Sequence, residues 1–432
     1  MTGARILLRA VALVLAVTGT LNLASNVYAS NLEPSTDPSG VLRTFSFPGG
    51  IDLSNPFFKS LGTNGRSCAT CHAQSDAWSV STAHLQQRFQ DTDGLDSIFR
   101  AIDGANCPSA DVSTLSARTS AYSLLLSKGL IRMSLPVPSG ADFTITSISD
   151  PYNCAETTSS QPALYRRPLP ATNLRFLPAI MWDGREPNLT SQAKNATLVH
   201  AQPKQAPTAT QLKQIVNFET GLFTAQSEDN AAGFLALHGG RGGPIFLALQ
   251  PYRPGSNPDG INVFTLYSAW ANLDPNQAAA RASIARGQAI FNNRMMLISG
   301  VAGFNDVRGQ QMVVGTCGTC HNAANVGAST TATMMDIGTS SPKVDLPSYT
   351  VLCADNSSVT TTDPGRALIT GKCSDLSKFK VPGLRGLAAR APYFHNGTAT
   401  DLTDVVSFYN QRFNMLLSGE ETADVVAFLN SL

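Results

Sequence analysis

The chain contains two copies of a short motif in which two thiols are followed directly by an imidazole. Cys68–His72 reads Cys-Ala-Thr-Cys-His, and Cys317–His321 reads Cys-Gly-Thr-Cys-His. This Cys-x-x-Cys-His pattern is typical of covalent haem attachment, because thiols at this spacing can add across two vinyl groups and leave the histidine beneath the ring as an iron ligand. The residues predicted to hold two haem c groups are Cys68, Cys71, His72, Cys317, Cys320 and His321.

A redox dithiol or half of a zinc site is the alternative interpretation of each motif. A zinc site needs a second pair of cysteine or histidine ligands, and neither motif is accompanied by one in the sequence. We therefore favour haem attachment.

Four further cysteines are Cys107, Cys154, Cys353 and Cys373. The first two of these cysteines flank one stretch that looks irregular, and the last two flank another. A disulfide across each stretch would stabilise a long loop that has no hydrophobic core of its own. We predict local pairing, Cys107 with Cys154 and Cys353 with Cys373, although sequence alone leaves the connectivity open. Haem ligation by these thiols is the alternative.

Residues 1–29 have the features of a secretory signal peptide. Arg5 and Arg9 supply positive charge, the apolar run Ala10–Val17 follows, and small or modest residues precede a cleavage position near Ala29. The run is shorter than the roughly 20 residues that a membrane span needs. We expect an exported, periplasmic protein with no membrane span after signal removal; an uncleaved anchor is the alternative.

Composition restricts the classes of partner. The 432 residues carry a formal net charge of +1, and only 14% of them are charged. No basic stripe is present that would follow a phosphate backbone, so nucleic acid is not an expected partner. This length accommodates two or three domains, and the low charge suits small helical domains with long loops.

Helices that would position the second motif are predicted at both ends of the C-terminal half. Ala278–Phe291 has apolar residues at three- and four-residue spacing, which predicts a helix. Ser418 and Glu421 have the spacing of a capping box, and the apolar positions after them predict a closing helix. With the motif between them, these helices indicate a cytochrome c-like domain over residues 275–432.

The first motif is expected in a looser N-terminal domain over residues 30–270. Within it, residues 85–161 look like an insertion that contains one helix over Ser113–Lys128 and is held by the Cys107–Cys154 bridge. The predicted fold is mainly α, with two class I cytochrome c-like helical domains, long loops and haems in tandem.

Two further stretches carry a family resemblance. They are Asn173–Gln192, NLRFLPAIMWDGREPNLTSQ, and Phe379–Asn410, FKVPGLRGLAARAPYFHNGTATDLTDVVSFYN. Both resemble the bacterial di-haem cytochrome c peroxidase family, which includes the MauG enzymes that oxidise a partner protein. The resemblance covers the segments around both haems, residues 173–202 and nearly all of 278–432, but not the insertion.

The resemblance implies roles for the two haems. In the family the N-terminal haem is the peroxide site, the C-terminal haem passes or stores electrons, and a tryptophan couples them. The matching tryptophan is Trp182, for which a packed core aromatic is the alternative. Gln192 matches a glutamine that lines the distal pocket of the peroxide haem.

One position departs from the peroxidases of the family. They place a glutamate twenty residues after the tryptophan, where this chain has Gln202. An amide can hydrogen-bond peroxide but cannot accept and return a proton near neutral pH. His200 is the candidate replacement because imidazole titrates in the required range; a solvent-facing histidine is the alternative.

The second ligand of the C-terminal haem is also implied by the resemblance. Tyr409 matches a helical position that holds a methionine in the peroxidases and a tyrosine in MauG. Leu402, Val405 and Tyr409 share one helical face, and a buried phenol needs a partner, for which ferric iron is suited. A hydrogen-bonded core tyrosine is one alternative, and Met415 is the other candidate ligand.

Two more positions match family positions, and His84 is a further candidate. His395 corresponds to a histidine near the haems with a structural or propionate-binding role. His84 is a candidate displaceable ligand of the N-terminal haem or, alternatively, a surface histidine. Arg167 stands where the family has a calcium-binding asparagine, so calcium is not predicted.

The resemblance implies a peroxide-dependent oxidoreductase. Its expected partners are hydrogen peroxide and a small periplasmic electron donor, a cytochrome c or a cupredoxin, or else a protein substrate that becomes oxidised. A Tyr409 ligand would favour protein oxidation over simple peroxide removal. A non-catalytic di-haem electron carrier is the alternative function.

Overall fold

The computed structural model describes residues 32–251, 255, 262–274 and 278–432. The predicted signal segment, residues 1–29, lies outside them. No helix in the described part of the chain is long and apolar enough to cross a membrane. Helix accounts for 32% of these residues and strand for 17%. Strand is therefore more prominent than a mainly α fold implies, and the division into two helical domains is not confirmed.

The α-helices are numbered in chain order. They are α1 Thr82–Thr92, α2 Leu115–Ala121, α3 Ser123–Lys128, α4 Leu189–Ala196, α5 Ala209–Thr220, α6 Pro244–Ala248, α7 Ala279–Asn293, α8 Asn305–Arg308, α9 Cys317–Cys320, α10 Ala367–Thr370, α11 Leu402–Arg412 and α12 Gly419–Asn430. A π-helical turn, Thr197–Ala201, extends α4.

The strands form a four-stranded sheet, a three-stranded sheet and three two-stranded ladders in the described residues. They are β1 Leu32–Asp37, β2 Gly40–Ser46, β3 Ile131–Ser134, β4 Phe143–Ser149, β5 Ala163–Arg166, β6 Leu222–Asp229, β7 Gly233–Phe234, β8 Met296–Ser299, β9 Met312–Gly315, β10 Met334–Met335, β11 Ser348–Cys353, β12 Ser358–Thr361 and β13 Phe379–Lys380.

The two helices predicted in the C-terminal half pack directly against each other. Gly287 of α7 lies against the main-chain oxygen of Asp424 in α12, where a Cβ atom has no room. Phe291 and Phe428 meet in a buried apolar cluster, with ring centroids 5.7 Å apart. The predicted early and closing helices are thus confirmed as α7 and α12.

The predicted capping box begins α12. Ser418 Oγ accepts a hydrogen bond from the Glu421 amide at 3.1 Å, and Glu421 Oε2 accepts one from the Ser418 amide at 2.9 Å. These bonds satisfy amide donors that a helix start otherwise leaves free.

The four-stranded sheet, in the order β1-β2-β6-β7, supports the first motif. Thr44 of β2 faces Thr224 of β6, with 3.0 Å between their hydroxyl oxygens. The Trp78 indole donates to the Thr44 hydroxyl at 3.0 Å. The sheet thereby fixes the loop that follows His72.

The segment interpreted as an insertion makes long-range contacts. Its strand β4 pairs antiparallel with β11, which also pairs with β12. The predicted helix Ser113–Lys128 is two helices, α2 and α3, separated at Tyr122. Both predicted disulfides, Cys107–Cys154 and Cys353–Cys373, are present. Residues 85–161 are therefore joined to the C-terminal half through a shared sheet.

Candidate functional site

Hydrogen bonds fix His72 at the end of the first motif. Its main-chain amide donates to the Cys68 oxygen at 3.0 Å, and its ring Nδ1 donates to the Trp78 oxygen at 2.9 Å. A proton held at Nδ1 leaves the lone pair of Nε2 free to bind iron. Burial lowers the pKa of His72 despite the opposing bond to Trp78, which favours the neutral ring that a metal needs.

The second motif repeats this geometry. The Thr316 amide donates to the Thr319 hydroxyl at 2.8 Å, which fixes the start of the motif turn. His321 Nδ1 donates to the Gly327 oxygen at 2.6 Å. Burial lowers the pKa of His321 as well, against the effect of the Gly327 bond. Both histidines are thus oriented by main-chain carbonyls six residues downstream.

Two neighbouring cavities contain the motif residues. An N-terminal cavity of about 480 Å³ is lined by Cys71 and His72, and a smaller pocket that continues from the same histidine is lined by Cys68. A C-terminal cavity of about 180 Å³ is lined by Cys317, Cys320 and His321. None of the four motif cysteines takes part in a disulfide with a described residue.

Trp182 lines both cavities. Its indole N–H donates to the Arg167 oxygen at 2.8 Å, and its own main-chain oxygen accepts from the Lys380 amide at 2.9 Å. The ring also contacts His395, with centroids 6.2 Å apart. The structure therefore brings this sequence-predicted residue between the two predicted haem sites.

Buried cations around the cavities fit a haem. Arg167, Lys380 and Arg390 line both cavities and Arg385 lines the N-terminal one. None of the three guanidinium nitrogens of Arg385 has a hydrogen-bond partner among the described residues, and burial lowers its pKa to about 10. Unpaired buried charge is costly, and the propionates of a haem are anions that would compensate it. Thiols, neutral imidazoles and buried cations together suit haem c.

Gln192 and His200 line the N-terminal cavity with His72. They lie eight residues apart on the face of α4 and its π-helical extension that also carries Ala196. The chain leaves this extension at Gln202, which has a φ of +52°. The Gln202 side chain is exposed and is not part of the cavity wall. Gln192 and His200, but not Gln202, are thus placed in the wall of this cavity.

His200 is held by a carboxylate that the sequence analysis did not single out. Its Nδ1 lies 2.7 Å from Asp103 Oδ2, and Asp103 Oδ1 accepts from Arg66 Nη1 at 2.5 Å. Burial acts to raise the pKa of Asp103, but the His200 bond and the Arg66 charge outweigh it and hold the pKa below its usual value. Asp103 is therefore an ionised, buried partner for His200.

Glu219 of α5 is a second residue that the sequence analysis missed. It is 5% exposed and lines the N-terminal cavity, and its Oε2 has no hydrogen-bond partner among the described residues. Burial raises its pKa to about 8. Helical spacing was the available signal, because Glu219 shares the buried face of α5 with Ile215 and Leu212.

Both candidate second ligands line the C-terminal cavity with His321. The Tyr409 hydroxyl has no hydrogen-bond partner among the described residues, and burial raises the pKa of Tyr409 above its usual range. Met415 is 5% exposed and follows α11 in the same wall. The hydrogen-bonded core tyrosine is thus not what the structure shows, and the choice between Tyr409 and Met415 stays open.

The three other positions named in the sequence analysis, His395, His84 and Arg167, each make different contacts. His395 stacks on Phe379 with ring centroids 4.0 Å apart, and burial lowers its pKa to about 4. His84 pairs with Asp76 at 2.8 Å and is not part of either cavity wall. The guanidinium of Arg167 donates to three main-chain oxygens, those of Lys128, Val80 and Arg390.

Several curated proteins are similar to parts of the chain. Cytochrome-c peroxidase IdrP2 of Denitromonas iodatirespirans is 44% identical over 78 residues, covering 16% of this chain and 21% of that protein. Cytochrome c551 peroxidase of Pseudomonas aeruginosa is 32% identical over 117 residues, covering 27% and 30%. Cytochrome c peroxidase Ccp of Escherichia coli is 40% identical over 75 residues, covering 17% and 16%. The matches thus span less than a third of each relative.

No family model matches the chain. A solved MauG-like protein associated with microbial copper homeostasis superposes with a TM-score of 0.42 at 15% identity, over 88% of this chain and 86% of that one. That score is too low to establish a common fold. The curated sequence relatives are bacterial cytochrome c peroxidases, and they support the resemblance to the di-haem family that the motifs indicated.

Proposed function

We propose that this chain is a periplasmic di-haem c-type cytochrome that uses hydrogen peroxide as its oxidant. One observation carries the proposal: Trp182 lines two cavities that each contain the histidine of a Cys-x-x-Cys-His motif. In the overall reaction, one H₂O₂, two electrons and two protons give two water molecules. The electrons come one at a time from a small periplasmic cytochrome c or cupredoxin, or from a protein substrate that becomes oxidised.

Each haem is assigned to its own part of the chain. Residues 30–270, with the segment 85–161, hold the peroxide haem through Cys68, Cys71 and His72. Residues 275–432 hold the electron-transfer haem through Cys317, Cys320 and His321. Bound iron supplies the redox chemistry, while the chain binds the ring, excludes water and places the proton-carrying groups.

Trp182 is the proposed connection between the two sites. Electrons enter at the C-terminal site and pass by the indole to the N-terminal one. Hydrogen bonds at its indole N–H and its main-chain oxygen hold the residue in the wall between the cavities. A ring held in one position keeps the electron-transfer distances constant.

His200 is the proposed acid–base group of the N-terminal cavity. Reduction of H₂O₂ requires a proton to move from the oxygen that binds to the oxygen that leaves as water. His200 lines the cavity, whereas the exposed Gln202 does not reach it. The amide of Gln192, on the same helical face, is placed to hydrogen-bond the peroxide.

Tyr409 is the proposed second ligand of the C-terminal haem. Its hydroxyl has no hydrogen-bond partner in the described part of the chain, and binding as a phenolate to ferric iron would supply one. Such a ligand would favour a low reduction potential of the C-terminal haem, and a low potential favours oxidation of a protein substrate over simple peroxide removal.

The proposal is tested with protein purified from a host that attaches haem. The mass should exceed that of the processed chain by two haems, and the protein should consume peroxide in the presence of a reduced small cytochrome c or cupredoxin. The ferrous N-terminal iron should bind CO. A protein with two haems that binds neither CO nor cyanide and consumes no peroxide would instead be an electron carrier.

A further inference from the structure

We infer that Asp103 is a positioning residue that fixes His200 in the orientation and tautomer in which Nε2 accepts a proton in the N-terminal cavity. This inference rests on the proposed function. It gives the segment 85–161, to which the family resemblance does not extend, a direct part in the site.

The geometry of the pair is the first support. Asp103 is 3% exposed, and its Oδ2 lies 2.7 Å from His200 Nδ1. A carboxylate can only accept in this bond, so the ring donates from Nδ1. In the neutral ring Nε2 is then the unprotonated nitrogen, as proton abstraction requires.

Arg66 is the second support, because it prevents Asp103 from turning away. Its Nη1 donates to Asp103 Oδ1 at 2.5 Å, and its Nε and Nη2 donate to the main-chain oxygens of Ser97 and Ile98 at 2.8 and 2.6 Å. Arg66 is 2% exposed and lies two residues before the first cysteine of the haem motif. The carboxylate is thus held from both sides, with one oxygen left for His200.

The chain contains a matched pair outside the cavity. His84 Nδ1 lies 2.8 Å from Asp76 Oδ2, and Asp76 is 4% exposed. His84 is not part of either cavity wall. Asp76→Asn therefore disrupts a second pair of a partly exposed histidine and a buried carboxylate near the same motif without affecting the proposed proton acceptor.

Asp103→Asn should reverse the tautomer of His200. Arg66 only donates, so the amide oxygen at position 103 stays with Arg66 and the NH₂ group faces His200 Nδ1. Nδ1 must then accept, which places the proton on Nε2 and removes the acceptor from the cavity. Main-chain geometry should change little because the two side chains are nearly isosteric.

Binding of cyanide and of CO distinguishes a positioning role of Asp103 from general damage to the N-terminal cavity. Cyanide arrives as HCN, whose proton must pass to an acceptor as the anion binds ferric iron, whereas CO binds ferrous iron without proton transfer. Stopped-flow association rates of both should be measured on the di-haem protein for the wild type, Asp103→Asn, His200→Gln and Asp76→Asn.

We expect Asp103→Asn to slow cyanide association by about 10- to 100-fold, as for other residues that orient a functional histidine, with CO association within about twofold of the wild type. His200→Gln should slow cyanide equally, and Asp76→Asn should change neither rate. An unchanged cyanide rate in Asp103→Asn, or parallel losses for cyanide and CO, would overturn the inference. If the wild type binds neither ligand, the proposed function itself fails.

Discussion

The indole nitrogen of Trp182 donates to the main-chain oxygen of Arg167 at 2.8 Å. The guanidinium of Arg167 in turn bonds to main-chain oxygens from both halves of the chain, including those of Val80 and Arg390. The ring between the two cavities is therefore anchored to a residue that ties the halves together.

Trp182→Phe should lower peroxide turnover by at least about 10-fold, because a phenyl ring is harder to oxidise and lacks the anchoring N–H. The measurement is steady-state peroxide consumption with a reduced cytochrome c donor. Trp270→Phe is the matched control, since the Trp270 indole also donates to a main-chain oxygen, that of Leu237 at 3.0 Å, but lines neither cavity. Equal turnover in the wild type and Trp182→Phe would refute the electron path.

Tyr409→Phe should change the EPR and visible spectra of the ferric C-terminal haem, because it removes the proposed oxygen ligand. Met415→Leu should leave both spectra unchanged, since volume-conserving apolar exchanges disturb a core little. The opposite pattern, a spectral change in Met415→Leu alone, would identify methionine as the ligand and remove the argument for a low potential.

Glu219 should make the stability of the protein depend on pH. Its folded-state pKa of about 8 lies above the usual value of 4.5, so the folded state holds the proton more tightly than the unfolded state. The associated stability is complete below pH about 4.5 and is lost as pH rises through about 8, up to a limit of about 5 kcal/mol.

Glu219→Gln should remove this fall of the unfolding free energy with rising pH, because glutamine has a similar shape and does not ionise. Denaturant unfolding of the di-haem protein between pH 5 and pH 9 provides the measurement. Glu420→Gln is the control, as the Glu420 side chain is 82% exposed. If the unfolding free energy of Glu219→Gln still falls with pH as in the wild type, another group causes the pH dependence.

Gly287→Ala should destabilise the protein by about 1–3 kcal/mol despite the better helix propensity of alanine. The added methyl group meets the main-chain oxygen of Asp424 where α7 and α12 cross. Gly419→Ala is the control, because a Cβ at Gly419 meets no atom within 4 Å. Thermal unfolding of both variants checks the expectation, and equal melting temperatures would contradict it.

Local patterns were sufficient where local interactions determine the structure. The capping box at Ser418 and the apolar spacing of α7 predicted helices that are present. Pairing of neighbouring cysteines was also correct. The helical spacing of Leu402, Val405 and Tyr409 placed all three in one cavity wall.

Long-range interactions were not predictable in the same way. The pairing of β4 with β11 joins residues about 200 positions apart, and no local pattern encodes it. Asp103 lies in the segment interpreted as an insertion, and its contact with His200 spans 97 positions. Gln202 follows a π-helical turn and has a φ of +52°, a backbone conformation that a residue count from Trp182 does not reveal.

The guanidinium of Arg385, buried without an acceptor among the residues that the structure describes, has a consequence for how the protein matures. A chain that folded before receiving its prosthetic groups would enclose uncompensated positive charge, a state that is strongly disfavoured. The propionate carboxylates of a bound haem would remove that penalty. Biogenesis should therefore proceed in a fixed order, with thioether formation on an open polypeptide first and closure of the interior afterwards.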